Sequence, residues 1–300
     1  MDGGRFDLAV AWEWQLDQGF LEQIRSEASG AGVGLLEISP GNIESVLERV
    51  RRGLQIGLLL DRASDVERAF APLQDLVVAG GGAALNRSRQ ADWASDKATM
   101  HMELLAAGLE VPYTLLLGTY GDEPELAADR LAPLGSPLIV KPASFGGGVG
   151  VRTARTLAAV QWCRTQFPRE KFLLQELIVP ALLDGRRAWF RPMYFCGAID
   201  LLWWDDLTHL YASCTADEVS RHGLERIRTT MQAIAGLTRL DFFTAELCID
   251  GNGRLVVVDY VNVPCDMRLQ SMHPDGVPDA IVRQVAGRLV HEAVVRRPPR

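Results

Sequence analysis

Three side chains late in the sequence carry the clearest chemistry. Glu246 lies in one apolar run, Asp259 in the next (Leu255-Val256-Val257-Val258-Asp259-Tyr260-Val261), and Asn262 three residues on. The turn Asp250-Gly251-Asn252-Gly253 joins the two runs as a hairpin, so Glu246 and Asp259 are predicted cross-strand neighbours. Two carboxylates and an amide oxygen on one face make a hard-cation site, suited to magnesium that keeps waters and nucleotide phosphates. The alternative is that Asp259 caps a strand end and Glu246 is solvated. An uncompensated carboxylate in so apolar a run is costly, which favours the metal.

A second constellation is basic and glycine-rich. Ala143-Ser144-Phe145-Gly146-Gly147-Gly148-Val149-Gly150-Val151 lies between two β runs. In such a hairpin the backbone N–H groups can point inward at a polyphosphate, and any Cβ would hold the peptide away from it. A flexible turn would use the same glycines. Lys141, near the end of the preceding strand, can reach an α- or β-phosphate while its stem stays packed. A third element, Leu173-Leu174-Gln175-Glu176-Leu177-Ile178, is a flat apolar strand that breaks off after a polar pair. It can line an adenine slot with backbone groups at Glu176 and Ile178, although an ordinary buried strand has the same spacing.

Other chemistries find little support. The cysteines at 163, 196, 214, 248 and 265 are scattered without a C-x-x-C pair, which reads as reduced thiols in a cytosolic protein. His101, His209, His222, His273 and His291 show no metal-ligand spacing, so a zinc site is not expected. The run Gly80-Gly81-Gly82 lacks the G-x-G-x-x-G spacing and reads as a strand-to-loop turn; no G-x-x-x-x-G-K-[ST] loop occurs.

The elements that must position these groups follow from hydrophobic periodicity. Strands over residues 7–12, 34–38, 54–60 and 75–79 alternate with helices over 20–30 and 43–52, which implies a parallel sheet covered on both faces. Ligands of such sheets sit outside the carboxyl ends of the strands, placing Trp12, Glu13, Trp14, Asp61 and Arg62 on a candidate rim. A long helix over 92–108 follows, then a short strand after Val111-Pro112-Tyr113-Thr114. The turn at 121–124 opens a helix to about residue 134. Beyond it come strands at 137–142 and 172–177 with a helix at 157–166 between them. The last third holds strands at 189–195, 199–204, 244–249 and 255–261, a helix at 279–295, and a basic, proline-containing tail. Adjacent Trp203 and Trp204 must point to opposite faces of their strand.

Composition bounds the function. The 300 residues are 48% hydrophobic and 23% charged, which fits a packed globular protein of about two domains. With 31 basic against 38 acidic residues the net charge is −7, which disfavours a general nucleic-acid binder. Neither a secretory signal nor an apolar run near the spanning length of about 20 residues is visible, so a cytoplasmic protein without a membrane partner is expected.

In order and spacing, residues 86–262 resemble the ATP-grasp superfamily, in particular its carboxylate–amine ligases such as D-alanine–D-alanine ligase and glutathione synthetase. Asn86, Asp96-Lys97 and Gly108-Leu109-Glu110-Val111-Pro112-Tyr113-Thr114 are similar to that family's opening motif. Leu138-Ile139-Val140-Lys141-Pro142 with the glycine run resembles its second lysine and phosphate loop. Gln175-Glu176-Leu177-Ile178 resembles its adenine hinge, and Glu246, Asp259 and Asn262 its magnesium triad.

The resemblance implies an α/β protein of ATP-grasp fold in three parts. These are an N-terminal Rossmann-like pre-grasp domain (1–92), a central α+β lid subdomain with the phosphate loop (93–177), and a C-terminal α+β subdomain with the magnesium site (178–300). Lys97, Lys141, Ser144, Gly146, Gly147 and Gly148 would hold ATP phosphates. Gln175, Glu176, Leu177 and Ile178 would meet adenine, Asp184 would substitute for the usual ribose contact, and Glu246, Asp259 and Asn262 would bind one or two Mg2+. The implied reaction converts a carboxylate to an acylphosphate, which an amine attacks to give a C–N bond, ADP and phosphate. Arg191, placed at the start of a strand, and Arg268 would serve catalysis by holding a carboxylate or the tetrahedral intermediate. Surface pairing is the alternative for both and for Arg239.

His101 and His209 would be spectators. The partners implied are a small-molecule acid and amine, with room for a homodimer. A kinase of the same fold and a non-catalytic ATP-binding module are the other readings. Three departures stand out: Asp259 and Asn262 are three apart where Glu-x-Asn is usual, a spacing whose geometry a bulge could restore; no acidic ribose contact is obvious before Phe190-Arg191; and Val263-Pro264-Cys265-Asp266-Met267-Arg268 replaces a Pro-Gly turn.

Overall fold

Four parallel strands open the chain, β1 (Arg5–Trp12), β2 (Leu35–Ile38), β3 (Gln55–Arg62) and β4 (Ala83–Leu85), in the order β2-β1-β3-β4. Their central residues are apolar on both faces because helices cover both faces. On one face α1 (Gln18–Gly30) packs Phe20, Leu21 and Ile24 against Leu8, Val10, Leu58 and Leu60. On the other, α2 (Ile43–Arg51) and α3 (Leu73–Ala79) pack against Ala9, Ala11 and Leu59. The computed structural model describes residues 4–296, so the tail expected beyond Arg296 lies outside the described residues.

Several expectations are corrected by the structure, beginning here. Residues 75–79 form the end of helix α3 rather than a strand: Leu73 and Val77, four apart, share one buried face. A short apolar run rich in valine does not by itself distinguish the two states. The fourth strand begins only after the glycines. Gly82 is required there, because a Cβ would lie 2.1 Å from the Ile56 carbonyl oxygen.

The helix expected over 92–108 is two helices, α4 (Ser88–Ser95) and α5 (Lys97–Ala106). Asp96 is extended (φ −72°, ψ 105°) and its carboxylate accepts the Thr99 N–H at 2.7 Å, so it caps α5 and sets Lys97 in the first turn.

The middle of the chain is an antiparallel sheet of β5 (Thr114–Leu117), β6 (Leu138–Pro142), β7 (Arg152–Ala154) and β8 (Phe172–Glu176), in the order β5-β8-β6-β7. With α6 (Leu157–Gln166) it encloses its own core of Leu117, Leu138, Val140, Val160, Phe172 and Leu174. The helix expected up to residue 134 is only a 3-10 segment, Ala128–Leu134, with Pro133 inside it lacking a donor.

A small hairpin, β9 (Leu182–Leu183) with β10 (Arg186–Arg187), leads into a seven-stranded antiparallel sheet. Its first strands are β11 (Trp189–Phe190), β12 (Met193–Phe195), β13 (Ala198–Asp200), β14 (Leu202–Trp204) and β15 (Tyr211–Ser213). The expected strands over 189–195 and 199–204 pair as one hairpin, interrupted at Arg191-Pro192, where proline has no N–H to give. Arg191 therefore stands at a break inside the ladder rather than at a strand start.

Two helices that the periodicity did not reveal follow, α7 (Ala216–Arg221) and α8 (Glu225–Thr238), then β16 (Phe242–Ile249), β17 (Leu255–Asn262) and α9 (Asp279–Val295). Helix α8 covers one face of this sheet through Ile227, Met231 and Ile234, and α9 the other through Val282, Val285 and Leu289. Trp203 enters the α8-side core and Trp204 the α9-side core, on opposite faces as predicted. No helix among the described residues is long and apolar enough to cross a membrane.

Helix α9 also packs on α1, so one core runs from the parallel sheet into the seven-stranded sheet. A buried ion pair reinforces that junction. Arg62 donates to both Asp17 carboxylate oxygens at 2.7 and 2.8 Å, and to the Cys265 carbonyl oxygen at 2.9 Å. Removing one partner strands the other's charge in the core. Asp17→Ala is expected to cost about 3–5 kcal/mol, read as a lowered urea midpoint. A midpoint equal to wild type would show that the pair does not hold the junction.

Candidate active site

The β16–β17 ladder carries the acidic constellation. Thr244 pairs with Asn262, Glu246 with Asp259, and Leu247 with Val257, so the register shifts on both sides of Glu246. β17 thus holds an extra residue at each shift. Thr244 and Glu246, two apart, share a face, and the shift brings Asp259 and Asn262 to that face although they are three apart. A bulge of this kind is what could restore the geometry despite the three-residue spacing.

Burial controls the electrostatics. It pushes the Glu246 carboxyl up to about 7, against the pull of Arg191 and Lys141, and the Asp259 charge adds to the rise. Arg191 Nη1 stands 3.8 Å from Glu246 Oε1, and its guanidinium lies 5.3 Å from the centre of the Trp204 ring. Lys141 Nζ donates to the Val258 carbonyl oxygen at 2.9 Å, over the Tyr260 ring at 5.6 Å. Burial lowers the Lys141 pKa, Asp259 opposes that, and Lys97 adds to the lowering.

The Asn262 Nδ2 and Thr244 Oγ1 atoms are buried without partners. Whichever way the amide is turned, one end lacks a partner. An orphaned amide beside two opposed carboxylates is a donor set that fits a hard cation such as Mg2+. Among the described residues no cluster of three or more His, Cys, Asp or Glu side chains suits a metal, so the site would depend on two carboxylates and an amide.

The glycine run forms the tip of the β6–β7 hairpin. Gly147 and Gly148 have φ of 60° and 73°, and a Cβ at 146–148 would meet nothing within 4 Å, so this stretch borders open space. Ser144 is exposed there. Lys97 ties the loop to α5: its N–H donates to the Ala143 carbonyl oxygen at 3.0 Å and its Nζ to the Phe145 carbonyl oxygen.

At the hinge, Gln175 is buried and the Glu176 carboxylate accepts the Tyr113 N–H at 2.9 Å. Leu177 is exposed and Ile178 buried. Asp184 lies at the tip of the β9–β10 hairpin, where it accepts from Arg221 at 2.8 Å and pairs with His222 at 2.9 Å. Arg268 is held by Asp266 (2.7 Å) and Asp275 (2.9 Å) over the Trp14 ring. The structure thus gathers Lys141, Arg191, Glu246, Asp259 and Asn262, with Lys97 beside them, whereas Asp184 and Arg268 have their charges taken up elsewhere. A cavity of about 400 Å³ lies away from these groups, against Leu131, Leu138 and Leu157. The sequence reading sets His101 aside as a spectator and does not single out Tyr260, although the two meet at 2.7 Å and His101 falls one helical turn after Lys97.

A carboxyl raised by folding stabilises the protein below its unfolded pKa and loses that contribution as pH climbs through the folded one. For Glu246 that window runs from 4.5 to about 7. Chelator-treated protein is expected to lose on the order of 2–3 kcal/mol across it, and Glu246→Gln to flatten the slope. Equal slopes in denaturant titrations of the two proteins would assign the dependence elsewhere.

Solved structures align with nearly the whole chain. D-alanine–D-alanine ligase from Bacillus anthracis, in complex with ATP, matches with a TM-score of 0.69 at 15% identity, covering 98% of this chain and 98% of that one. The macrocyclase MdnC from Microcystis aeruginosa, bound with precursor peptide MdnA, gives 0.66 at 12% identity over 95% and 99%. A RimK domain ATP-grasp protein from Sphaerobacter thermophilus gives 0.64 at 17% identity over 97% and 100%. No protein-family model matches the sequence, and no curated protein does. Likenesses at such identities speak for architecture, and on that ground the chain has the ATP-grasp fold.

Proposed function

We propose that the protein is an ATP-dependent, magnesium-requiring carboxylate–amine ligase acting on amino-acid-like substrates. The observation that carries this reading is the half-buried Glu246–Asp259 pair, register partners with Lys141 and Arg191 as nearby cations. Glu246, Asp259 and Asn262 would hold Mg2+, which when bound supplies charge neutralisation to the phosphates.

The chain's own groups do the rest. Lys97, Lys141 and the backbone N–H groups at 146–148 would bind the ATP phosphates, and the hinge at 175–178 would take the adenine edge. Fixed charges in a site that excludes water act more strongly than the same groups in solution. A substrate carboxylate oxygen would attack the γ-phosphorus, and ADP would leave. The amine would then attack the acyl carbon, lose a proton and expel phosphate, leaving an amide. Arg191, packed on Trp204 beside Glu246, would steady the negative charge that builds on the acyl oxygens. No side chain needs to become covalently bonded.

A coupled ADP-release screen over pairs of acids and amines tests this directly. ADP is expected only when a matching acid and amine are both present with Mg2+. Lys141→Ala and Glu246→Ala are each expected to lower turnover at least about 100-fold with the circular dichroism spectrum retained. ADP release with an acid alone would make the protein a kinase, and wild-type turnover in either variant would remove the site assignment.

A further inference from the structure

Tyr260 is 1% exposed, on β17 immediately after Asp259. Its hydroxyl stands 2.7 Å from His101 Nδ1 and 2.7 Å from Gln175 Nε2. The Gln175 amide also donates to Thr114 Oγ1 at 2.9 Å, and Thr114 donates onward to the Pro112 carbonyl oxygen at 2.7 Å. The protons can be counted. Gln175 spends one N–H on Tyr260 and one on Thr114, which itself lies in hydrogen-bond reach of the phenol, and this leaves the phenol's own hydrogen available to His101 Nδ1 when that nitrogen is unprotonated. Burial, with the Lys141 charge second, holds His101 down to about 4, so the imidazole is neutral near pH 7. The hydrogen bonds run from Gln175 through Tyr260 to His101, a polar chain of the kind that orders a core.

The elements it joins are those of the proposed nucleotide site. His101 lies on α5 four residues after Lys97, Gln175 precedes Glu176 at the hinge, and Tyr260 follows Asp259 on the bulged strand. Lys141 binds the carbonyl of Val258 on that strand and covers the Tyr260 ring. A phenylalanine would fill the same space, so what the hydroxyl adds is direction. We infer that Tyr260 is a positioning residue: through His101 and Gln175 it fixes the carboxylate strand relative to the hinge and the lysine-bearing helix, on the proposed reading that these elements bind Mg·ATP.

Calorimetric titration of Mg·ATP into the full chain tests it. Wild type is expected to bind, Tyr260→Phe to raise Kd about tenfold, and His101→Leu to do the same without adding to it in the double variant. His101→Asn, whose amide oxygen can accept the phenol hydrogen, is expected to return Kd to within about twofold of wild type. A merely structural role would lower the melting temperature and leave Kd of the folded protein unchanged. Equal Kd in wild type and Tyr260→Phe overturns this inference alone, whereas absence of Mg·ATP binding in wild type overturns the site and the inference together. Should Tyr260→Phe not fold, His101→Leu against His101→Asn gives the same decision: equal Kd overturns the inference, and loss with rescue supports it.

Discussion

Two carboxylates, Glu246 and Asp259, are register partners across the β16–β17 strand pair, and burial with the neighbouring Asp259 charge holds the Glu246 carboxyl above its ordinary value. The Cβ atoms of residues directly opposed in a ladder lie about 5 Å apart. Two full negative charges at that separation repel by about 3 kcal/mol even at an effective dielectric near 20. Lys141 and Arg191 supply part of the compensation, yet burial still holds Glu246 up, so the pair requires cations close by. Much of the surrounding construction follows from that requirement. The bulges turn Asn262 to the same side, Trp204 supports Arg191, and the Val258 carbonyl holds Lys141 in place.

Rigidity around this pair comes from both faces of the seven-stranded sheet. The α8-side core includes Tyr260, while the α9-side core continues into the parallel sheet through α1. The Asp17–Arg62 pair fastens the segment after β17 by its Cys265 carbonyl. The central sheet has a core of its own and meets the rest at α5, β8 and β17, where the polar chain through Tyr260 crosses. Packing therefore sets the strand pair, and hydrogen bonds set its alignment with the hinge.

Much of this was legible in the sequence. The hairpin turn at 250–253 put Glu246 opposite Asp259, and the three-residue spacing to Asn262 pointed to a bulge as one way to bring the groups together. The cap at Asp96 was not read, although its residue type favours a helix start, because the apolar pattern runs through it. Residues 75–79 looked like a strand because valine suits both states when the run is short. The pattern of Ile227, Met231 and Ile234 in α8 is helical, but Gly223, Gly236 and neighbouring threonines dilute it. Long-range pairing was beyond reach. His101 reads as a spectator until Tyr260, 159 residues later, is folded against it, and Arg268 reads as a catalytic cation until Asp266 and Asp275 are seen to hold it.

The central claim, that the opposed carboxylates form a cation site shared with a nucleotide, is tested most directly by electron paramagnetic resonance of Mn2+ titrated into the protein with and without ATP. The expected result is Mn2+ binding that ATP strengthens in wild type and that Glu246→Gln abolishes. ATP-strengthened binding that persists unchanged in Glu246→Gln, or no effect of ATP at all, would contradict it.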